Sequence, residues 1–196
     1  MVFCDPRWQN YRFPPRELET MKAIKIIIGS IVGLLVIVVV VGLFLPDTAH
    51  VERSVVIKAP VSDVYQMLNG FKRFNEWSPW HAKDPDTEYT FSGPEQGVGA
   101  RMTWASENRN VGSGSQEIIA TQENQRIEVQ LDFGAEGDAV SYYQMQPAGD
   151  GTRVTWGFDT DFKGNIIGRY FGLMFDGMLG PDYENGLARL QALLEQ

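Results

Sequence analysis

Side chains that could transfer protons or bind metal ions are few in this sequence, and their spacing is irregular. His81 follows Trp80 and could accept a proton near neutral pH, although a surface histidine after a Trp-Pro turn explains its position more simply. Carboxylates recur at short intervals in three places: Asp84 and Asp86; Asp159 and Asp161; and Asp132, Glu136 and Asp138. Each group could hold calcium weakly, but none has the loop spacing of an EF-hand. We find no nucleophile–base pair, and we expect neither a metal ion nor a cofactor.

Cysteine, histidine and glycine add no further catalytic motif. Cys4 is the only cysteine, which excludes an internal disulfide. His50 and His81 stand far apart in the chain, which argues against a zinc site. The Gly-Ser repeat at 112–115 has no lysine after it and leads into a predicted strand, so it is not a phosphate-binding loop.

A more specific signal comes from apolar side chains near the C-terminus. The segment Gly168–Leu187, GRYFGLMFDGMLGPDYENGL, has helical apolar spacing and yet contains five glycines and a proline. Tyr170, Met174 and Met178 are four residues apart and would share one helix face. Methionine is flexible and polarizable, and tyrosine combines an apolar ring with a polar tip. We expect this face to line a ligand cavity; the alternative is that the same side chains fill a solid core.

The same segment predicts a bend and then an ordinary packing face. Gly177 and Gly180 would let the helix kink, and Pro181 removes a backbone donor at that point. Beyond them, apolar side chains at helical spacing form one stripe: Tyr183, Leu187, Leu190 and Leu194. We expect this second half to hold the helix against the core.

Large side chains elsewhere are candidates for the other walls of the cavity. Those on predicted strands that we expect to point inward are Met102, Trp104, Tyr142, Trp156 and Phe158. Trp77 and Trp80 flank Pro79 and could form a rim. For each of them, an ordinary place in the hydrophobic core is the alternative.

The charge distribution argues against a nucleic-acid partner. The net charge is −8, of which residues 1–45 carry +2 and the remainder −10. Because nucleic-acid binding depends on Lys and Arg at the phosphate backbone, we expect no nucleic-acid partner for this acidic part of the chain.

Residues 26–45, IIIGSIVGLLVIVVVVGLFL, are 20 residues without a charge, which is the length of a transmembrane helix. A cleaved signal peptide is the alternative, but its apolar region is usually shorter, and Asp47 stands where a small residue would be needed. We predict an uncleaved anchor at 22–46. The basic residues that precede it predict a cytoplasmic N-terminus and a domain outside the plasma (inner) membrane, periplasmic in a Gram-negative cell. Gly29 and Gly33 form a GxxxG pattern that could pair two anchors weakly, or could simply face lipid.

The remaining boundaries follow from the composition. Residues 1–21 are polar, with no apolar period, and predict a disordered tail; Met21 could be the true start of the chain. Residues 50–196 predict one domain. Its predicted order is a strand, two short helices, six strands and a helix over about 165–195. Successive strands without intervening helices imply an antiparallel sheet in an α+β domain, with its one buried face covered by the helices.

Three stretches and their order resemble the START-like (SRPBCC) superfamily, in its polyketide cyclase/dehydrase and lipid-transport branch. They are IKAPVSDVYQMLNGFKRFNEWSPW, TRVTW and MFDGMLGPDYENGLARLQALLE. The resemblance covers about 51–196 and implies a helix-grip fold, a curved sheet around the long C-terminal helix with an apolar cavity between them. It does not imply one activity, because such folds host both binders and enzymes.

Three functions are therefore open. The first is membrane-anchored binding of a hydrophobic or lipid-like small molecule. The second is a cyclase or dehydrase in which a tyrosine or His81 acts on a bound ring. The third is a non-catalytic interaction module without a working cavity.

Overall fold

The computed structural model describes residues 15–196, and the chain divides after Leu45 into two units. The first unit contains α1 (Pro15–Phe44). The strands of the second unit are β1 (Thr48–Ile57), β2 (Glu88–Ser92), β3 (Arg101–Ala105), β4 (Ser113–Gln122), β5 (Arg126–Asp132), β6 (Asp138–Ala148) and β7 (Gly151–Asp161). Its helices are α2 (Val61–Leu68), α3 (Pro79–Lys83), α4 (Ile166–Gly172) and α5 (Phe175–Leu194), with short 3-10 turns at Phe74–Glu76 and Gly134–Glu136.

Helix α1 is long and apolar enough to cross a membrane. Its span Glu19–Phe44 has 26 residues, which at 1.5 Å per residue make about 39 Å, against about 30 Å for the hydrocarbon core of a bilayer. The disordered tail was predicted at residues 1–21. Residues 1–14 lie outside the described residues, and residues 15–21 form the first turns of α1.

The seven strands form one curved antiparallel sheet in the order β1-β7-β6-β5-β4-β3-β2. Consecutive strands from β2 to β7 are neighbours, and β1 pairs with β7 as the edge strand at the other side of the sheet. This confirms the predicted α+β class and the helix-grip arrangement, in which a long C-terminal helix follows the sheet.

The alternation of the strands decides which face is buried. In β5, Ile127 and Val129 are buried, whereas Glu128 and Gln130 between them stay half-exposed. Gly149 lies between β6 and β7 with a φ of 62°, a left-handed conformation that glycine adopts without strain. The tight turn there brings β6 and β7 into register.

Two of the glycines in α5 allow close approach of side chains. The helix runs from Phe175 to Leu194 with Pro181 inside it, and the bend predicted at Gly177 and Gly180 stays a prediction. A side chain at Gly180 would collide with the Arg53 guanidinium. A Cβ at Gly186 would lie 2.7 Å from the Trp156 ring.

The Arg53 side chain crosses Gly180 to join β1 to two acidic residues of α5. Its Nη1 donates to Asp176 Oδ1 at 2.8 Å, and its Nε donates to Glu184 Oε1 at 2.7 Å. Asp176 and Glu184 lie four residues on either side of Gly180, so the glycine opens a path for the guanidinium between them. The pKa of Asp176 is lowered, chiefly by its hydrogen bond to Arg53.

Candidate ligand cavity

An apolar cavity of about 130 Å³ lies between the sheet and α5. Its lining includes aromatic side chains from β3, β6, β7 and α5: Trp104, Tyr143, Trp156, Phe158 and Tyr183. Phe74, Trp80 and Tyr89 line it from the helical segments and β2. Within the described residues, no Asp, Glu, Lys, Arg or His belongs to the lining. The cavity is therefore suited to an uncharged ligand.

Trp156 is the centre of the aromatic cluster around the cavity. Its ring stacks on Tyr183 with 4.0 Å between centroids and 9° between planes. Trp77 and Trp80 meet it edge-on, at 5.2 and 5.7 Å. Gly186 makes the stacking possible, because any larger residue at that position would press on the indole. Edge-to-face and stacked pairs of this kind fix ring orientation as well as burying area.

One buried serine connects the aromatic wall to the backbone. Ser141 Oγ accepts a hydrogen bond from Trp156 Nε1 at 3.0 Å and donates one to the Gly157 carbonyl at 2.9 Å. The Ser141 hydroxyl also lies close enough to Tyr183 to influence its pKa. Ser141 is thus a polar group inside a mostly apolar cavity.

The two innermost tyrosines are protonated at physiological pH. Burial raises the pKa of Tyr183 well above its ordinary value, and the Ser141 hydroxyl offsets only part of this shift. Burial also raises the pKa of Tyr143, and the neighbouring Tyr183 adds to the rise. Both groups therefore offer a hydroxyl rather than a phenolate to a ligand.

His81 lies beside the cavity but not in its lining. Its ring is 5.8 Å from the ring of Tyr89, which does line the cavity. His81 Nδ1 is buried and has no hydrogen-bond partner within the described part of the chain. Burial raises the pKa of Tyr89, and its hydrogen bond to Thr87 opposes that rise. Tyr89 is therefore a weaker acid than an ordinary tyrosine.

Five of the predicted site residues come together at the cavity: Trp80, Met102, Trp104, Trp156 and Phe158. Trp77 lies behind Trp156 and is buried, with an indole Nε1 that has no partner among the described residues. It supports the wall and does not line the cavity. Of the two tryptophans predicted to form a rim, Trp80 lines the cavity and Trp77 does not.

Tyr142 lies on the opposite face of the sheet from the cavity. Its ring covers Gly157, its hydroxyl donates to Glu52 Oε2 at 2.9 Å, and the Arg126 guanidinium lies 4.2 Å from its ring centroid. Burial, followed by the hydrogen bond to Glu52, raises the pKa of Tyr142 to about 12. Because side chains alternate along β6, Ser141 and Tyr143 point into the cavity and Tyr142 points away from it.

The structure places Tyr170, Met174 and Met178 outside the cavity lining, which corrects the expected face of this segment. Met174 and Met178 are 54% and 56% exposed. The physical reason is that a different face of the segment packs inward, the one on which Gly172 and Phe175 contact Phe162. In α5 the cavity side is formed by Leu179 and Tyr183, four residues apart, with Phe175 one turn before them.

Several lining residues were not among the sequence candidates. They include Phe74, Tyr89, Gln116, Leu131, Ser141 and Tyr183. Tyr183 belongs to the apolar stripe that was expected only to hold the helix against the core. Leu131 is part of the clean alternation of β5 and could have been found from that pattern. Gln116 and Ser141 carry no signal in the sequence, because a polar residue on a buried face reads as an exposed one.

The comparisons with known proteins identify the family. A family model described as polyketide cyclase / dehydrase and lipid transport matches residues 48–195. The chain belongs to this family. The match spans the whole sheet and both C-terminal helices, and it includes every residue that lines the cavity just described.

Solved structures share the fold at low sequence identity. Protein Ms6760 from Mycobacterium smegmatis is 17% identical, with a TM-score of 0.53 over 76% of this chain and 92% of that one. A Nitrosospira multiformis protein is 22% identical, with a TM-score of 0.53 over 74% and 95%. A norcoclaurine synthase point mutant from Thalictrum flavum, in complex with a transition-state analogue, is 14% identical, with a TM-score of 0.56 over 75% and 94%. The search of curated proteins found no match.

Proposed function

We propose that this protein is a membrane-anchored binder of a small hydrophobic molecule, held in the cavity between the sheet and α5. The observation that carries the proposal is the lining itself, which is dominated by aromatic and aliphatic side chains and contains no charged group among the described residues. Such cavities bind by removing apolar surface from water, while a few polar groups fix the orientation of the ligand.

The size of the cavity limits what it can hold. At about 130 Å³ it is close to the engineered cavity of about 150 Å³ that binds benzene, and below the roughly 300–1,000 Å³ of pockets for drug-sized ligands. A ligand of one ring, or the ring or short alkyl end of a larger molecule, matches this volume. A whole lipid chain would require the walls to move apart.

The polar groups favour binding over acid–base catalysis. Tyr143 and Tyr183 are held protonated by burial, so neither is a base at neutral pH. Ser141 Oγ already donates to a backbone carbonyl and accepts from Trp156. These groups can orient a hydroxyl or carbonyl of a ligand, whereas a cyclase or dehydrase would need a group that accepts a proton during the reaction.

The anchoring part of the proposal rests on α1. Its length and composition suit a membrane span, and the basic residues before it favour a cytoplasmic N-terminus, with the ligand-binding domain outside the plasma membrane. The surroundings of Gly29 and Gly33 are open, which leaves room for a second helix. Weak pairing of two anchors through these glycines stays a prediction.

A cavity-filling substitution tests the binding function. Leu179→Trp adds a ring at the cavity wall, so it should abolish binding while the domain stays folded. Full-length protein in lipid nanodiscs is titrated with para-fluorophenol and followed by fluorine NMR, with empty nanodiscs as the reference. Saturable broadening that disappears in Leu179→Trp supports the proposal.

Two matched variants of the same helix control this experiment. Met178→Trp adds a ring at an exposed position and should leave binding unchanged. Leu190→Trp adds one at a fully buried position away from the cavity and should cost about 1–3 kcal/mol of stability by overpacking. If the parent protein shows no saturable binding, or if Leu179→Trp binds as the parent does, the proposed function is refuted.

A further inference from the structure

The outer face of α4 and the start of α5 is an exposed apolar surface. Five large side chains within 12 residues are each more than half exposed, and we call them the α4–α5 patch: Ile167, Phe171, Leu173, Met174 and Met178. Elsewhere in the described part of the second unit, the exposed large apolar residues are scattered: Val56, Phe91, Val98 and Ile119. Contiguous apolar surfaces of this kind usually mark an interaction site.

The inner face of this segment is tightly packed, so the exposure of the patch is not the result of a loose helix. A Cβ at Gly168 would lie 2.9 Å from the Phe162 ring, and one at Gly172 would lie 2.7 Å from the same ring. Phe175 continues the packing, 6.0 Å from Phe162 and 5.8 Å from Phe158 between ring centroids. The patch is therefore held outward on a rigid support.

The support of the patch adjoins the point at which the chain enters the domain. A Cβ at Gly172 would lie 3.6 Å from Ala49 Cβ, and Phe162 N donates to the Asp47 carbonyl at 2.8 Å. Only three residues separate Phe44, the end of α1, from Thr48, the start of β1. An extended chain covers at most about 14 Å over this interval. If α1 spans a bilayer, the start of β1 cannot lie far from the membrane surface.

We propose that the α4–α5 patch inserts into the surface of the same lipid bilayer that holds α1. This inference rests on the membrane anchoring in the proposed function. Phe, Leu, Ile and Met are the side chains that interfacial helices bury about 5–10 Å into the boundary between headgroups and acyl chains. Insertion into the bilayer would remove the apolar side chains of the α4–α5 patch from water, which is favourable.

Apolar burial rather than charge drives this docking. Residues 46–196 carry a net charge of −10, which repels anionic lipids. Beside the patch, Asp176 is paired with Arg53 and Lys163 is paired with Asp138. Docking should therefore occur on neutral phosphatidylcholine and persist at high salt.

Docking would also bring the cavity close to lipid. Leu179 lines the cavity, and Met178 beside it belongs to the patch. Phe175 contacts Phe158, which lines the cavity from the sheet. A hydrophobic molecule dissolved in the bilayer would then have a short path past these side chains.

The test measures lipid contact at single labelled positions in the full chain. In a Cys4→Ser background, Met178→Cys and Val98→Cys are each labelled with an environment-sensitive fluorophore and reconstituted in phosphatidylcholine liposomes. Val98 is the matched control, because it is equally exposed and lies beside β2 and β3, at the sheet edge opposite β1. We expect a blue shift at position 178, with quenching by shallow doxyl-labelled phosphatidylcholine, and neither at position 98.

A second variant and a flotation assay separate the possible failures. Met174→Glu, an exposed substitution, should reduce quenching of the label at position 178 without changing the circular dichroism spectrum. If the protein floats with liposomes but position 178 is not quenched, the anchor stands and the docking is refuted. Equal quenching at 178 and 98 refutes a specific surface. Protection of position 178 in a cross-linked dimer assigns the patch to a second copy and also overturns the proposal. Protein that does not float refutes the anchor and the docking together.

Discussion

Gly186 is the position in α5 at which the smallest change should disturb the cavity. An alanine there places its Cβ 2.7 Å from the Trp156 ring and 3.1 Å from Pro79 Cδ. Neither neighbour can yield easily, because Trp156 is buried between Tyr183 and Tyr143 and Pro79 is a buried, rigid ring. Gly186→Ala must therefore move α5 outward or rotate the indole at the cavity wall.

Two opposing terms set the size of the effect. Replacing glycine by alanine inside a helix favours folding by about 0.5–1 kcal/mol. Overpacking a tight contact disfavours it by about 1–3 kcal/mol. We expect overpacking to win at Gly186, with a net loss of about 1–2 kcal/mol, which lowers the Tm of a domain of this size by about 2–8 °C.

Gly177→Ala is the matched control in the same helix. A Cβ at Gly177 meets no atom within 4 Å, so only the helix-propensity term applies, and the Tm should rise by about 1–4 °C. Thermal unfolding of the two variants, followed by tryptophan fluorescence in nanodiscs, gives both values. If Gly186→Ala stabilises the domain as much as Gly177→Ala does, the close packing of α5 on Trp156 is refuted.

Three further predictions concern charge and domain independence. The hydrogen bond to Asp159 at 2.7 Å raises the pKa of His50, so its NMR titration midpoint should exceed 6.5 and should fall in Asp159→Asn. The resulting stability should be complete below about pH 6.5 and lost as the pH rises through the raised pKa. Arg53 lowers the pKa of Asp176, so this pair stabilises the fold above about pH 4 and stops doing so as the pH falls and Asp176 is protonated. The Tm difference between the parent and Arg53→Met should therefore shrink at acidic pH. A Tm difference that stays constant with pH would contradict the pairing. Residues 46–196 should fold without α1, and a fragment with weak near-ultraviolet circular dichroism would contradict this.

The sheet was predictable because its strands carry their own signal. The alternation in β5 assigns Ile127 and Val129 to the buried face, and the structure buries both. The sequence predicts strands at about 87–92, 98–105, 113–122, 126–133, 139–147 and 152–161. These lie within about three residues of the observed β2 to β7, which is the usual precision of element boundaries. Together with the order of the elements, this is sufficient for the fold class.

The cavity wall formed by α5 was predicted on the wrong face of the segment. Tyr170, Met174 and Met178 are four residues apart, and so are Leu179 and Tyr183, so two faces of the segment carry apolar side chains at helical spacing. At about 100° per residue these two faces point in different directions. The spacing alone cannot say which of them packs against the sheet, and the structure places Leu179 and Tyr183 at the cavity.

The adjacent tyrosines of β6 illustrate a second limit. Tyr142 and Tyr143 are both aromatic, so period-two alternation cannot say which of them faces the cavity. Pairing decides it: Tyr142 lies opposite Gly157 in β7 and covers the space that the glycine leaves. Only the register of the two strands supplies that information.

Fluorine NMR of the full-length protein labelled with fluorotryptophan tests the binding cavity most directly. The protein is placed in nanodiscs, its resonances are assigned by single Trp→Phe substitutions, and phenol is added against an empty-nanodisc reference. We expect the resonances of Trp104 and Trp156, which both line the cavity, to move together and reach saturation. Shifts that grow linearly without saturation, or no shift up to the solubility limit of phenol, would contradict a ligand-binding cavity at this site.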